Sequence, residues 1–140
     1  MNVEQILRDK GDWVATIQSE ATVAEAVDIL NRRRIGALVV SDDGVAVDGI
    51  LAERDIAAAL AEFGAGLLER SVGEVMSREM VTCDPSDSVG ELMAEMTDRR
   101  IRHFPVVEDG RLVAIVSLKD LMDFLAMKLD LHEPPALRAA

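Results

Sequence analysis

The sequence predicts a mixed α/β (α+β) fold in which two β-α-β-β-α repeats pack about a pseudo-two-fold axis. The first observation is that helical and strand-like apolar patterns alternate along the chain. The second is that the chain repeats itself once, in copies of about 55 residues, each too small to bury its own sheet alone. The third is that 140 residues suit one compact core better than two independent domains.

The repeat is visible without a gap. Residues 16–44 align with residues 82–110 at a constant offset of 82 − 16 = 66, and both segments end in Asp-Gly. After this turn the offset falls to 65, because Asp55 matches Asp120. The lead-in "NVEQIL" likewise resembles "SVGEVM", which begins at Ser71. The domain boundaries expected from this alignment are a first repeat at 2–63, a linker at 64–70, a second repeat at 71–129 and a tail at 130–140.

The elements of each copy follow in the same order. A short strand at Thr16–Ile17, or at Thr82–Cys83, precedes a helix that Thr22 or Ser88 caps. The helix is predicted because apolar residues recur at i, i+3, i+4 and i+7. These residues are Val23, Ala26, Val27 and Leu30 in the first copy and Val89, Leu92, Met93 and Met96 in the second.

A strand, a turn, a second strand and a second helix complete each copy. "IGALVV" and "FPVV" end at "SDDG" and "EDG", as in hairpins. The second strands are expected near 49–52 and 112–117, and the second helices near 54–63 and 119–129. The linker contains Gly64 and Gly66.

Composition excludes several classes of protein. A formal charge of −11 disfavours binding to a nucleic-acid polymer or to an anionic membrane surface. No apolar run of about 18 residues predicts a membrane span, and the N-terminus does not resemble a secretory signal. The single cysteine, Cys83, can form no internal disulfide. A cytoplasmic location is expected.

The two copies, "TVAEAVDILNRRRIGALVV…GILAERDI" and "SVGELMAEMTDRRIRHFPVVEDGRLVAIVSLKDL", share a helix stripe, an Asp-Gly hairpin and a final Asp. In these features the chain resembles a tandem pair of CBS domains, the module named after cystathionine beta-synthase, and especially the small stand-alone bacterial type. The resemblance covers residues 2–129. It implies a regulatory module that binds an adenine nucleotide, AMP or else ADP or ATP, in the cleft between the repeats, and a flat homodimer formed through helices.

Ser117 and Asp120 admit two interpretations. Ser-x-x-Asp at a helix start is a capping box on its own account. The same geometry suits an anion and a ribose, and the resemblance implies that Ser117 contacts phosphate and Asp120 holds the ribose. Pro105 predicts an irregular strand entry. The nucleotide site expected in the second copy comprises Val81, Thr82, Cys83, Arg102, His103, Phe104, Pro105, Ser117, Lys119 and Asp120.

The first copy is expected to hold the weaker site. It keeps Asp55 but has Ala52 in place of Ser117, so a cap and a phosphate donor are lost, although Arg54 offers a guanidinium in compensation. Its expected residues are Thr16, Ile17, Gly36, Ala37, Leu38, Glu53, Arg54 and Asp55. Phe104 and His103 also have an alternative interpretation, as a core residue and an ordinary strand residue.

No catalytic constellation is recognisable. Cys83 with His103 is the one nucleophile–base candidate, and the first copy replaces them with Ile17 and Ala37. No glycine-rich phosphate loop is present. We expect no enzyme, metal or cofactor. The two hypotheses are an adenine-nucleotide sensor and a ligand-free module that dimerises or docks on an enzyme or transporter. A homodimer is expected through apolar helix faces that include Leu121, Phe124, Leu125 and Leu129.

Overall fold

A computed structural model describes residues 1–11 and 13–129, so the predicted tail at 130–140 lies outside the described residues. The predicted mixed α+β class is confirmed. The elements are α1 (Val3–Lys10), β1 (Thr16–Ile17), α2 (Val23–Arg33), β2 (Ala37–Val40), β3 (Gly49–Ala52), α3 (Glu53–Phe63), a 3-10 helix (Gly64–Glu69), α4 (Val72–Val75), α5 (Val89–Arg99), β4 (His103–Glu108), β5 (Arg111–Ser117) and α6 (Leu118–Lys128).

Each repeat has its own small sheet. In the first, β1 runs parallel to β2 and β2 pairs antiparallel with β3. In the second, β4 and β5 form an antiparallel pair with a register shift between Val106 and Val107. Segment 82–83 makes only a single parallel bridge, Cys83 with Val106, so the strand predicted there is wrong in extent.

Pro105 accounts for the lost strand. In the first repeat the Val39 N–H donates to the Ala15 carbonyl at 3.2 Å. Pro105 stands at the position of Val39 and has no N–H to donate. Only the next contacts survive, where Cys83 donates to the Pro105 carbonyl at 2.9 Å and accepts from Val107 at 2.8 Å.

Local sequence explains the helix ends. The Thr22 hydroxyl accepts from the Glu25 amide, and the Ser88 hydroxyl accepts from the Glu91 amide, as N-caps do. The helices that these residues open, α2 and α5, both terminate at an arginine in the left-handed region, Arg34 with φ 53° and Arg100 with φ 56°.

The two lead-in helices pack on the opposite repeats. Val3 and Ile6 of α1 lie in the core of the second repeat, beside Phe104. Val72 of α4 lies in the core of the first repeat, beside Leu38. Isolated bridges make the same exchange, since Asn2 pairs with Ser88 and Thr22 pairs with Ser71. The segment assigned to the first repeat by alignment is therefore part of the core of the second.

The predicted linker is packed rather than open. Residues 64–69 form the 3-10 helix, and Leu67 is only 2% exposed in a cluster with Val23 and Ala59. Through Leu67 the segment that connects the two repeats packs against the first repeat.

The expected dimer face on α6 is wrong for Leu121 and Phe124, whereas Leu129 is 59% exposed. Leu121 and Phe124 of α6 are buried in the core of the second repeat, and Leu125 is partly buried against it. Because β4, β5 and α1 together cover these side chains, they offer no free dimer face. Large apolar side chains that are exposed on α3, the 3-10 helix and α6 or just after it are Leu60, Leu68, Met122, Met127 and Leu129.

Candidate functional site

A cleft of about 610 Å³ lies between the two repeats, a volume typical of small-molecule sites. Its walls come from both halves of the chain. The first repeat contributes Gly36, Ile50, Ala52, Glu53, Arg54 and Asp55, and the second contributes Ser77, Glu79, Met80, Val81, Arg100, Ile101, Arg102 and His103.

The cleft contains residues that the sequence assigned to two separate sites. Val81, Arg102 and His103 were assigned to the second-copy site, yet they line the same cleft as Asp55. Gly36, Glu53 and Arg54 join them there. Ser117 and Asp120, two further members of the second-copy set, do not line it.

Asp55 supplies the carboxylate of this cleft. It occupies the third position of α3, and its Oδ2 accepts from the Ala52 amide at 2.8 Å. Asp55 is half-buried, and it forms no salt bridge with any residue in 1–11 or 13–129. Asp55 therefore presents an acceptor for hydroxyl donors at the positive end of a helix.

The opposite side of the cleft is basic. Arg100, Arg102 and His103 follow one another after α5, and Arg54 reaches across, with its Nη1 donating to the Arg100 carbonyl at 2.8 Å. The left-handed conformation of Arg100 turns the chain here. In a protein of formal charge −11, this concentration of arginines creates a local site for an anion.

His103 of the second repeat lies close to Gly36 and Glu53 of the first. A Cβ added to Gly36 would lie 3.2 Å from Glu53 Oε1 and 3.4 Å from His103 Nε2, so Gly36 permits this contact. Burial lowers the pKa of His103, the Asp120 charge opposes that change, and the Lys10 charge adds to it. The imidazole is therefore mainly neutral at pH 7 and able to donate one hydrogen bond and accept another.

The Val81 carbonyl is a free backbone acceptor at the cleft wall. Its counterpart in the first repeat, Ala15, accepts from Val39, but Pro105 removes that donor. Within the described part of the chain no donor replaces it. Ile50, Met80 and Ile101 supply apolar surface nearby.

Ser117 and Asp120 are satisfied within the chain. The Ser117 hydroxyl accepts from the Asp120 amide at 3.1 Å, and Asp120 Oδ2 accepts from the Ser117 amide at 2.8 Å, which is the capping box anticipated from the sequence. Lys10 Nζ adds a salt bridge at 2.6 Å. Burial raises the pKa of Asp120, but the hydrogen bonds from Lys10 and Ser117 and the Lys10 charge outweigh it, so the net pKa is lowered.

The remaining expected residues lie elsewhere. Lys119 is exposed and pairs with Asp123 at 2.7 Å, and Thr16 and Thr82 are also exposed. Burial, with the charges of Asp87 and Asp84, raises the pKa of the Cys83 thiol to about 12, which makes it a poor nucleophile at neutral pH. The other side chains are buried in the cores: Ile17, Ala37, Leu38, Cys83, Phe104 and Pro105.

Sequence reasoning missed several residues of the cleft. Arg100 lies at a helix C-terminus, where a cation is favoured without any ligand, and Glu79 and Met80 lie in a segment with no motif. Ser77 and Ile50 form a bridge that only the exchange of lead-in helices creates. An alignment of the segments that precede each repeat, residues 8–15 and 77–81, could have indicated these residues.

Among residues 1–11 and 13–129, no group of His, Cys, Asp and Glu has the arrangement of a metal site. A search of the same residues finds no helix with the length and hydrophobicity needed to span a bilayer.

A family model described as "CBS domain" matches the chain twice, at residues 14–62 and 72–127. The chain belongs to the CBS-domain family. The sequence-based resemblance to a tandem CBS pair is thereby confirmed, and both matched segments contribute walls to the cleft.

Curated relatives extend this result. The chain is 36% identical over 108 residues to the CBS domain-containing protein YhcV of Bacillus subtilis (strain 168), with 77% of this chain and 76% of YhcV covered. It is 32% identical over 131 residues to the mitochondrial protein CBSX3 of Arabidopsis thaliana, covering 86% of this chain and 62% of CBSX3. A 33.4 kDa protein of Thermofilum pendens is 34% identical over 110 residues, but only 36% of its length is covered, against 79% of this chain.

Solved CBS structures have the same fold. The CBS-domain containing protein ATU1752 from Agrobacterium tumefaciens has 40% identity and a TM-score of 0.86, covering 89% of this chain and 99% of that chain. The CBS domain pair of protein MJ0100, in complex with 5′-methylthioadenosine and S-adenosyl-L-methionine, has 29% identity and a TM-score of 0.80, covering 91% and 98%. A hexameric CBS-CP12 protein from bloom-forming cyanobacteria has 28% identity and a TM-score of 0.76, covering 88% and 71%.

Proposed function

We propose that this CBS pair is a non-catalytic regulatory module of the cytoplasm that binds an adenine nucleotide, of which AMP is the best match, in the cleft beside Asp55. The observation that carries the proposal is the pairing of chemistries in one cavity. The half-buried Asp55 carboxylate has no cation partner among residues 1–11 and 13–129 and stands on one wall, and Arg100, Arg102 and His103 stand on the other, together with Glu79. Adenosine-derived ligands in the MJ0100 pair are consistent with this choice.

Each part of an adenylate has a counterpart in the cleft. Asp55 is proposed to accept from the ribose hydroxyls, as an acidic residue does in dinucleotide sites. Arg54, Arg100 and Arg102 are proposed to bind the phosphate through charge-assisted hydrogen bonds. The free Val81 carbonyl suits the exocyclic amino group of adenine.

A ligand in this position would bridge the two repeats. Regulation then follows from a difference in affinity between two arrangements of the repeats, since a ligand shifts an equilibrium only by its differential affinity. Such a change of packing would alter the close contact between Gly36, Glu53 and His103.

A matched pair of variants tests the site. Asp55→Ala and Asp120→Ala each remove a helix-capping acceptor, and Asp120→Ala also removes the ion-pair partner of Lys10, but only Asp55 lines the open cleft. Isothermal calorimetry with AMP should show affinity about 10- to 100-fold weaker for Asp55→Ala, because hydrogen bonds to a charged acceptor are lost. Asp120→Ala should stay within about threefold of the wild type.

Thermal unfolding with AMP, ADP, ATP and adenosine provides the companion measurement. A nucleotide at about 100 times its dissociation constant should add ~2.7 kcal/mol of stability. The proposal fails if no adenine nucleotide shifts the melting temperature, or if the two alanine variants weaken AMP binding equally.

A ligand-free role as a homodimer is the second candidate, and one observation favours it. Leu60 of α3 and Met122 and Met127 of α6 are 55%, 55% and 65% exposed. Self-association would remove this apolar surface from water, which is favourable. Sedimentation velocity should show a dimer that Leu60→Glu shifts to monomer, while Val45→Glu, on the exposed hairpin turn, leaves it intact. A monomeric wild type at micromolar concentration contradicts this candidate.

A further inference from the structure

The two repeats present equivalent carboxylates in unequal surroundings. Asp55 and Asp120 both occupy the third position of a helix, and each accepts from the amide of the residue three before it at 2.8 Å. Asp120 Oδ2 also accepts from Lys10 Nζ at 2.6 Å. Lys10 and Asp120 side chains are only 29% and 23% exposed, so this ion pair is shielded from solvent on most sides.

Lys10 reaches Asp120 because α1 is longer than its counterpart. The first lead-in helix has eight residues and α4 has four. Lys10 lies in the additional turn, and α1 packs on the second repeat, which brings this turn to the start of α6. Continuing the alignment of Asn2 with Ser71 places Glu79 opposite Lys10, and Glu79 lines the open cleft. The surroundings of Asp120 thus receive a cation where the cleft beside Asp55 has an anion.

Lys10 also donates to a strand carbonyl whose counterpart in the first repeat accepts from a backbone amide. The Ile50 carbonyl accepts from the Ser77 amide at 2.9 Å. Its counterpart, the Ile115 carbonyl, accepts instead from Lys10 Nζ at 2.6 Å. The ammonium is therefore held by two acceptors from β5 and α6, which is more than a casual surface pair provides.

We propose that Lys10 is an internal cation that closes the site around Asp120, the counterpart of the cleft at Asp55, so that the chain binds one adenylate, at Asp55, and not two. The inference rests on the proposed function, since it concerns the capacity of the same module. A ribose hydroxyl would have to displace the ammonium from Asp120 Oδ2, and the ammonium would lose its charge-assisted hydrogen bond to the carboxylate.

Removing the Lys10 charge tests the closure. Lys10→Met keeps the length of the aliphatic stem, and Lys10→Arg is the matched control that keeps the charge. Calorimetry with AMP should give one site per chain for the wild type and for Lys10→Arg. Lys10→Met should gain a second site, roughly 10- to 100-fold tighter than any residual wild-type binding there, and the double variant Lys10→Met/Asp120→Ala should lose it.

The pKa of His103 reports on the Lys10 charge without any nucleotide. The charged groups facing His103 are Asp120, Lys10, Glu53 and Arg102, and Lys10 lowers its pKa. NMR titration should show a higher pKa for His103 in Lys10→Met than in the wild type, with Lys10→Arg unchanged. If Lys10→Met does not fold, Lys10→Gln, which can still donate to the Ile115 carbonyl, replaces it.

The outcomes separate this inference from the proposed function. A raised His103 pKa and AMP binding gained only in Lys10→Met would support the closure while refuting the site at Asp55. Two sites in the wild type, or an unchanged site number in both Lys10→Met and Lys10→Gln, would overturn the closure and leave Asp55 standing. An unchanged His103 pKa would also overturn it.

Discussion

Gly49 shows how a single residue allows the two halves of the chain to meet. It begins β3, where Ser77 crosses the sheet edge and exchanges backbone hydrogen bonds with Ile50 at 2.9 and 3.0 Å. A Cβ added to Gly49 would lie 2.7 Å from Met76 Sδ and 2.9 Å from the Ser77 carbonyl. Both atoms follow α4, so glycine here sets the distance between the second lead-in helix and the first sheet.

We expect Gly49→Ala to lower the free energy of unfolding by about 1–3 kcal/mol, because the backbone of Ser77 must move to admit the methyl group. Urea denaturation followed by circular dichroism measures the change. Gly66→Ala is the matched control, since nothing lies within 4 Å of a Cβ there, and it should change stability by less than about 0.5 kcal/mol. Equal midpoints for the two variants would refute the close approach.

The residues of the cleft, and of its counterpart around Asp120, divide into those that the sequence could identify and those it could not. Asp55, Arg54 and Arg102 were predictable because a motif or an aligned repeat marks them. Lys10 was not, since its contact with Asp120 depends on α1 crossing to the other repeat and no local pattern encodes that crossing. From the sequence alone Ser117 and Asp120 look available to a ligand, because no pattern reveals that Lys10 contacts Asp120.

At the scale of elements, local patterns were sufficient for helices and hairpins. The i, i+3, i+4 stripe and the caps at Thr22 and Ser88 depend only on neighbouring residues, and α2 and α5 begin where these predict. The short strand at 82–83 depends on a donor from a distant strand, and Pro105 removes that donor. Proline thus shortens a strand and frees a carbonyl at the cleft in one step.

At the scale of the whole molecule, the exchange of lead-in helices ties the repeats together. Ile6 is 3% exposed in the core of the second repeat, and Val72 is fully buried in the core of the first. Each core therefore takes side chains from the segment that precedes the other repeat. A perturbation in either core is expected to reach both, as in a two-state domain.

Ile6→Ala tests this coupling, because it damages the second core while Trp13, the single tryptophan, reports on the first repeat through its contact with Arg33 of α2. A cavity in a packed core should cost about 2–5 kcal/mol. If the chain unfolds as one unit, urea transitions followed by Trp13 fluorescence and by far-ultraviolet circular dichroism should shift together. Val72→Ala, the mirror variant in the first core, should also shift both probes, by a smaller amount because a smaller side chain is truncated. A Trp13 transition that keeps its wild-type midpoint in Ile6→Ala, while the dichroism moves, would mean that the repeats unfold independently.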